Sequence, residues 1–206
     1  MIISMDKILQ KYKLNVRGVI HIGAHYGQEY DAYKKHNIQN MMFFEPVKSN
    51  FKKLIEKIEH ANGNIQCYNV ALGNKTEVVK MFIETANQGQ SCSLLEPKEH
   101  LKYYPKITFD SYEKVCMTKL DLIPFFRDSF NMINIDVQGY ELEVFKGASE
   151  TLKTINIIYA EVNKEQLYKD CTLVGELDSY LKGFGFKREL TQWTDNGWGD
   201  ALYLKN

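Results

Sequence analysis

The chain has 206 residues, 44% apolar and 25% charged, with Lys plus Arg and Asp plus Glu balanced at 26 each. That length supports one sizeable core, and the composition is that of an ordinary soluble globule. Balanced charge argues against a nucleic-acid or anionic-membrane partner, since both leave a basic excess, and no apolar run reaches the ~18 residues of a membrane span.

In chain order, residues 5–14 read as a short helix. VIHI (19–22) reads as a strand and 28–37 as a polar helix. MMFFE (41–45) is near-continuously apolar, the pattern of a strand buried on both faces. In VKSNFKKLIEKIEHA, residues Phe51, Leu54, Ile55 and Ile58 share one helical face. IQCYNVAL (65–72) is a third strand, with EVVKMFIE (77–84) expected beside it. A polar, irregular stretch follows at 85–106. FNMINIDV (130–137) is a strand, and a helix is expected from about Tyr140 to Leu152. INIIYAEV (155–162) is the next strand, and 173–183 is helical. FKRELTQW and DALYLK close the chain as two strands around TDNGWG.

Alternating strands and helices predict a mostly parallel seven-stranded α/β sheet with helices on both faces. The last two strands are joined by a few residues, so they run antiparallel. No repeat or linker divides residues 1–206, so one domain is expected. An open sheet with one reversed strand near the C-terminus is the Rossmann-like layout of class I methyltransferases, which use S-adenosylmethionine (SAM). Cys67, Cys92, Cys116 and Cys171 form no C-x-x-C pair, which argues against a zinc knuckle or redox dithiol and fits free thiols in a reducing cytosol. The opening MIISMDK meets an acid too early for a signal peptide, so a cytoplasmic location is expected.

Ligands of doubly wound sheets bind at the carboxyl ends of the strands. Gly23 and Gly27 follow the first strand as G-x-x-x-G, where small residues allow close backbone approach and a helix N-terminus offers free N–H groups. The dinucleotide pattern G-x-G-x-x-G is absent. Glu45 ends the second strand, 22 residues after Gly23, where an acid can take a ribose diol; capping the next helix is the rival role. Pro46 then turns the chain away from the sheet. Asp136 ends the fourth strand facing the same cleft, and a carboxylate there is costly unless paired or functional. Glu141 suits either a functional role or the helix dipole.

His21 and His25 lie four apart but not on a helix, so they are not a zinc pair. His21 reads as a hydrogen-bonded core histidine or a cofactor contact. His25, at the cleft, is a candidate base. Glu161 should end the strand beside Asp136. Together they would form a raised-pKa base or hold a divalent cation with Asn163 or His25; pairing with a Lys or Arg is the plainer alternative. Ser91 and Ser93 sit in a stretch that suits a lid or a disordered loop. The rings of HLKYYPKITF (100–109) would face a sugar or pack the core.

With these pieces assembled, the sequence resembles the FkbM family of SAM-dependent methyltransferases, from about Gly18 to Leu204. The carriers are HIGAHYGQE, FFEP, NVALGN, TKLDL, INIDVQGYELEVFKGA and IYAEVN, with QSCSLL and WGDALY matching a subgroup. His21 stands where the common family form has an acid. The resemblance implies O-methylation of a sugar or glycan hydroxyl by in-line displacement. It implies that Gly23, Ala24, His25 and Gly27 line the methionine end of SAM, with His21 behind them. Glu45 and Pro46 would hold the ribose side, and Asn69, Ala71 and Leu72 would flank the adenine. Asp136 would face the reacting centre, with Glu161 and His25 as further catalytic candidates. Acceptor contacts are expected from Ser93, Gln138, Trp198 and Asp200. A nicotinamide-dependent oxidoreductase, a nucleic-acid methyltransferase, whose N-P-P-Y motif is absent here, and a SAM-binding module without catalysis are the alternatives.

Overall fold

A computed structural model describes residues 2–205. Its main sheet contains β1 (Gly18–Ile22), β2 (Asn40–Phe44) and β3 (Asn64–Tyr68) from the first half of the chain. A second sheet is built from β4 (Ala71–Leu72), β5 (Glu77–Ile83) and β6 (Ser111–Thr118). The main sheet resumes with β7 (Met132–Ile135), β8 (Ile157–Asn163), β9 (Phe186–Trp193) and β10 (Trp198–Lys205). Its strand order is β3-β2-β1-β7-β8-β10-β9. Only β10 is reversed, pairing antiparallel with β8 and β9. The chain therefore leaves β1 toward one edge and returns through β7 on its other side. That reversal of direction opens a crevice at the strand ends, where Gly23 and Asp136 meet.

Among the described residues seven α-helices accompany the strands: α1 (Met5–Tyr12), α2 (Tyr30–Lys35), α3 (Lys48–Ile58), α4 (His100–Tyr103), α5 (Glu141–Lys146), α6 (Thr151–Thr154) and α7 (Val174–Lys182). Alternate strand residues feed two cores. Ile20, Ile22, Ile133 and Ile135 pack with Val144, Phe145, Leu152, Leu177 and Leu181 from α5, α6 and α7. Val19, Met41, Phe43 and Met132 pack with Ile8, Tyr33 and Leu54 from α1, α2 and α3. The sheet is thus covered on both faces, as its near-continuous apolar strands require.

Four local expectations need correction. Strand 65–72 breaks at Asn69, whose side chain donates to Glu45 O and Pro46 O; Ala71 and Leu72 then join the second sheet. Residues 77–83 pair with β6 and not with β3. The expected helix 140–152 is split into α5 and α6 at Gly147, where a Cβ would lie 1.9 Å from Gly73 O. Ile55 is 40% exposed, while Leu54 is fully buried.

The second sheet packs Met81, Ile83, Val115 and Met117 around Val47 and Ala71. Tyr140 packs against both this cluster and the main core, which seats the small sheet beside the crevice. No helix among the described residues is long and apolar enough to cross a membrane.

Candidate active site

Two cavities open at the strand ends. They share Gln90, Asp136 and Gln138 on their walls.

The first cavity begins at Gly23. Its φ is +79° and a Cβ there would lie 1.8 Å from Asp136 O, so only glycine lets β1 and β7 close at this point. His21, Gly23, Ala24 and His25 line one wall, and Glu45 and Pro46 another. Val70, Ala71, Leu72, Met81 and Leu94 form an apolar side. Gly27 and Asn69 are not on the wall. Gly27 takes a φ of +73° with Leu54 close against it, and Asn69 braces the Glu45–Pro46 backbone. Both support the cavity from behind.

Glu45 is buried, and its carboxylate accepts from His25 N and Val47 N, each at 2.9 Å. Val47 is the N-cap of α3, so the capping role and the position at the cavity wall coexist. Burial pushes the Glu45 carboxyl up to about 7. The His21 side chain is a core histidine. It is 2% exposed, meets the Tyr33 hydroxyl at 3.2 Å through Nδ1, and is held neutral by burial.

His25 sits at a φ of +48°. Its Nδ1 lies 2.7 Å from Gln28 Nε2 and its Nε2 lies 2.8 Å from Gln88 O. The tautomer that satisfies both accepts at Nδ1 and donates at Nε2. Both nitrogens are then committed, and His25 is absent from the second cavity. It acts as a latch on segment 85–95, and the geometry gives it no free lone pair for catalysis.

Asp136, Gln138 and Glu161 meet on the wall of the second cavity. Gln138 Nε2 donates to Asp136 Oδ1 at 2.8 Å and reaches Glu161 Oε1 and Oε2 at 3.3 and 3.2 Å. Burial raises both carboxyls, Glu161 well above its usual range, with Asp136 beside it adding to the effect. No lysine or arginine pairs with either carboxylate among the described residues. Gln138 has a φ of +54°, and its carbonyl accepts from Ser93 Oγ at 2.9 Å. The Tyr168 hydroxyl lies 2.8 Å from Gln138 Oε1.

The other acceptor residues divide. Trp198 lines the second cavity, as does Ser91. Ser93 does not: its hydroxyl is spent on Gln138 O and Leu95 N. Asp200 is fully buried and accepts from Ile2 N, Ile3 N and the Tyr159 hydroxyl; it anchors the N-terminal segment. Glu141 Oε1 accepts from Val137 N and Gly139 N, which staples the Asp136–Gly139 loop.

The cation expectation finds no donor set. Among the described residues no group of three or more His, Cys, Asp or Glu stands close enough to hold a metal ion. The position between Asp136 and Glu161 is taken by an amide nitrogen, a donor where a cation needs an acceptor. Asn163 is buried and lines neither cavity.

With this geometry in view, residues 21–188 match the Methyltransferase FkbM domain. The chain belongs to the FkbM methyltransferase family. SAM is therefore its cofactor. One curated relative, the 2-O-methyltransferase NoeI of Sinorhizobium fredii, is 36% identical over 81 residues, 38% of this chain and 33% of the relative. The match thus spans about a third of that relative. A SAM-dependent methyltransferase from Aquifex aeolicus shares the fold with a TM-score of 0.55 at 12% identity, over 98% of this chain and 89% of that one. The magnesium protoporphyrin IX methyltransferase of Synechocystis, with bound SAM, gives 0.51 at 10% identity, over 91% and 69%. At such identities the likeness to this FkbM chain is one of fold.

Sequence reasoning missed Gln90 as a wall residue, while His100 and Tyr104, from the 100–109 stretch expected to face a sugar or pack the core, both line the second cavity. Gln90 lies in the irregular stretch, where no periodicity marks which side chains turn inward.

Proposed function

We propose that this chain methylates a hydroxyl of a sugar or glycan acceptor, with SAM in the first cavity and the acceptor in the second. The observation that carries this reading is that the two cavities share a wall at Asp136 and Gln138. SAM supplies an electrophilic methyl group when bound. Asp136 and Glu161 take up the proton that the acceptor hydroxyl loses, since a buried carboxylate of raised pKa is an effective base when ionised. Gln138 holds the two carboxylates in register. Glu45 holds the ribose diol through the lone pairs that His25 N and Val47 N leave free. The cavity walls supply alignment and exclude water.

The relative named as a 2-O-methyltransferase supports a hydroxyl acceptor. Residues 1–206 act as one catalytic domain in this reading, and the protein works in the cytoplasm. Met1 and Asn206 lie outside the described residues.

The test is calorimetry with SAM and with NAD, followed by transfer from labelled SAM to mono- and oligosaccharides. Heat from SAM and label in a sugar are expected. Heat from NAD with none from SAM, or SAM binding without label in any sugar, would sink the proposal.

A further inference from the structure

His100 is a buried polar group in the second cavity that the reaction leaves unused. It begins α4 and is 4% exposed. Its ring packs among Tyr104, Phe109 and Tyr168, at centroid distances of 4.9, 5.5 and 5.4 Å. Nδ1 has no hydrogen-bond partner among the described residues. An orphaned buried polar atom is costly and calls for an explanation, and here it belongs to a residue that lines the second cavity. Burial lowers the pKa of the imidazole, so the ring is neutral and offers one N–H and one lone pair.

Tyr104 stands beside it on the same wall. Its hydroxyl oxygen accepts from Trp198 Nε1 at 2.8 Å and from Asn196 Nδ2 at 2.9 Å. Those two bonds use its lone pairs and leave its own proton without an acceptor among the described residues. The wall therefore presents a free hydroxyl donor next to a neutral imidazole. A ligand hydroxyl, which both donates and accepts, satisfies such a pair. An anion does not: the ring carries no charge, and Asp136 and Glu161 share the cavity.

We propose that His100 and Tyr104 bind a second hydroxyl of the acceptor, one that is not methylated. The substrate is then a polyol held at two points, and a lone alcohol is a poor acceptor. This rests on the second cavity being the acceptor site. Trp198 and Ile107 supply apolar surface for the C–H face of the same ring.

The experiment uses the full chain, labelled SAM, a set of methyl hexopyranosides with their mono-deoxy analogues, and cyclohexanol. His100→Phe keeps an aromatic ring and removes both nitrogens. His100→Asn returns a polar atom near the place of Nδ1. Tyr104→Phe is the weaker probe, because it also strips Trp198 and Asn196 of their acceptor.

For the best pyranoside, one deoxy analogue should cost the wild type about tenfold in kcat/KM, as loss of a hydrogen bond to a buried group does. His100→Phe should lose about as much on the parent sugar, nothing further on that analogue, and nothing in KM for SAM. His100→Asn should recover part of the loss. Equal losses in wild type and His100→Phe for every analogue would overturn the inference alone. So would cyclohexanol turning over as well as the sugars. Label in no sugar and in no alcohol would overturn the acceptor reading itself, and this inference with it.

Discussion

Gln138 donates its side-chain amide to Asp136 at 2.8 Å, and the same nitrogen spans to Glu161. An amide placed so can serve both carboxylates when at least one is ionised. Tyr168 sets its orientation, and that hydroxyl also lies 2.9 Å from Ser91 O. One phenolic proton serves one acceptor at a time, so Tyr168 donates either to Gln138 Oε1 or to Ser91 O.

Asp136→Ala should therefore cut kcat on the order of 10²-fold, the scale of general-base loss, while SAM still binds. Glu161→Gln should do less, since one carboxylate remains. Single-turnover rates with labelled SAM, beside SAM titrations, separate the two effects. A near-normal rate in Asp136→Ala would leave alignment alone as the source of catalysis.

Glu45→Gln should weaken SAM about tenfold, within the range for a hydrogen bond to charge. The amide oxygen retains one backbone donor, so the fold holds. Calorimetry gives the affinity and thermal unfolding the control. Unchanged affinity would reduce Glu45 to a cap of α3.

Gly89, Gln90, Cys92 and Leu94 line the first cavity, and Gln88 O is tied to His25 and the Tyr26 hydroxyl. Hydrogen exchange in 85–95 should slow when SAM binds, and His25→Ala should speed it in the free enzyme. Full protection before SAM is added would remove any lid role.

The strand ends were legible because β1, β2 and β7 are near-continuous apolar runs that stop at Gly23, Glu45 and Asp136. Hydrophobic patterning marks such boundaries, and the acid or glycine that follows marks the chemistry. Tertiary side-chain bonds left no such mark. Asn69 breaks the third strand by bonding to another loop, and Gly147 splits a helix because Gly73 comes against it. Asp200, expected to contact the acceptor, is instead held by backbone from the far end of the chain. His25 has the residue type and position of a base, but Gln28 and Gln88 occupy its two nitrogens.

Part of the pH dependence of stability follows from Glu141. Burial pushes its carboxyl from 4.5 up to about 7, and it is 1% exposed. The unfolded chain ionises this group first, so between about pH 4.5 and pH 7 the folded state holds the extra proton. Stability from this residue is then greatest below the unfolded value and falls as pH rises through the window. Above the folded value both states are ionised, and the full penalty of about 3 kcal/mol stands. Both backbone donors to Glu141, Val137 N and Gly139 N, use Oε1. Glu141→Gln keeps that oxygen and removes the charge. It should leave stability near wild type at pH 4.5 and raise it at pH 8, by up to the same ~3 kcal/mol. Urea unfolding at the two values measures the difference. A variant no more stable than wild type at pH 8 would mean that the carboxylate is compensated in the fold, and that the Asp136–Gly139 loop carries no buried charge from this residue.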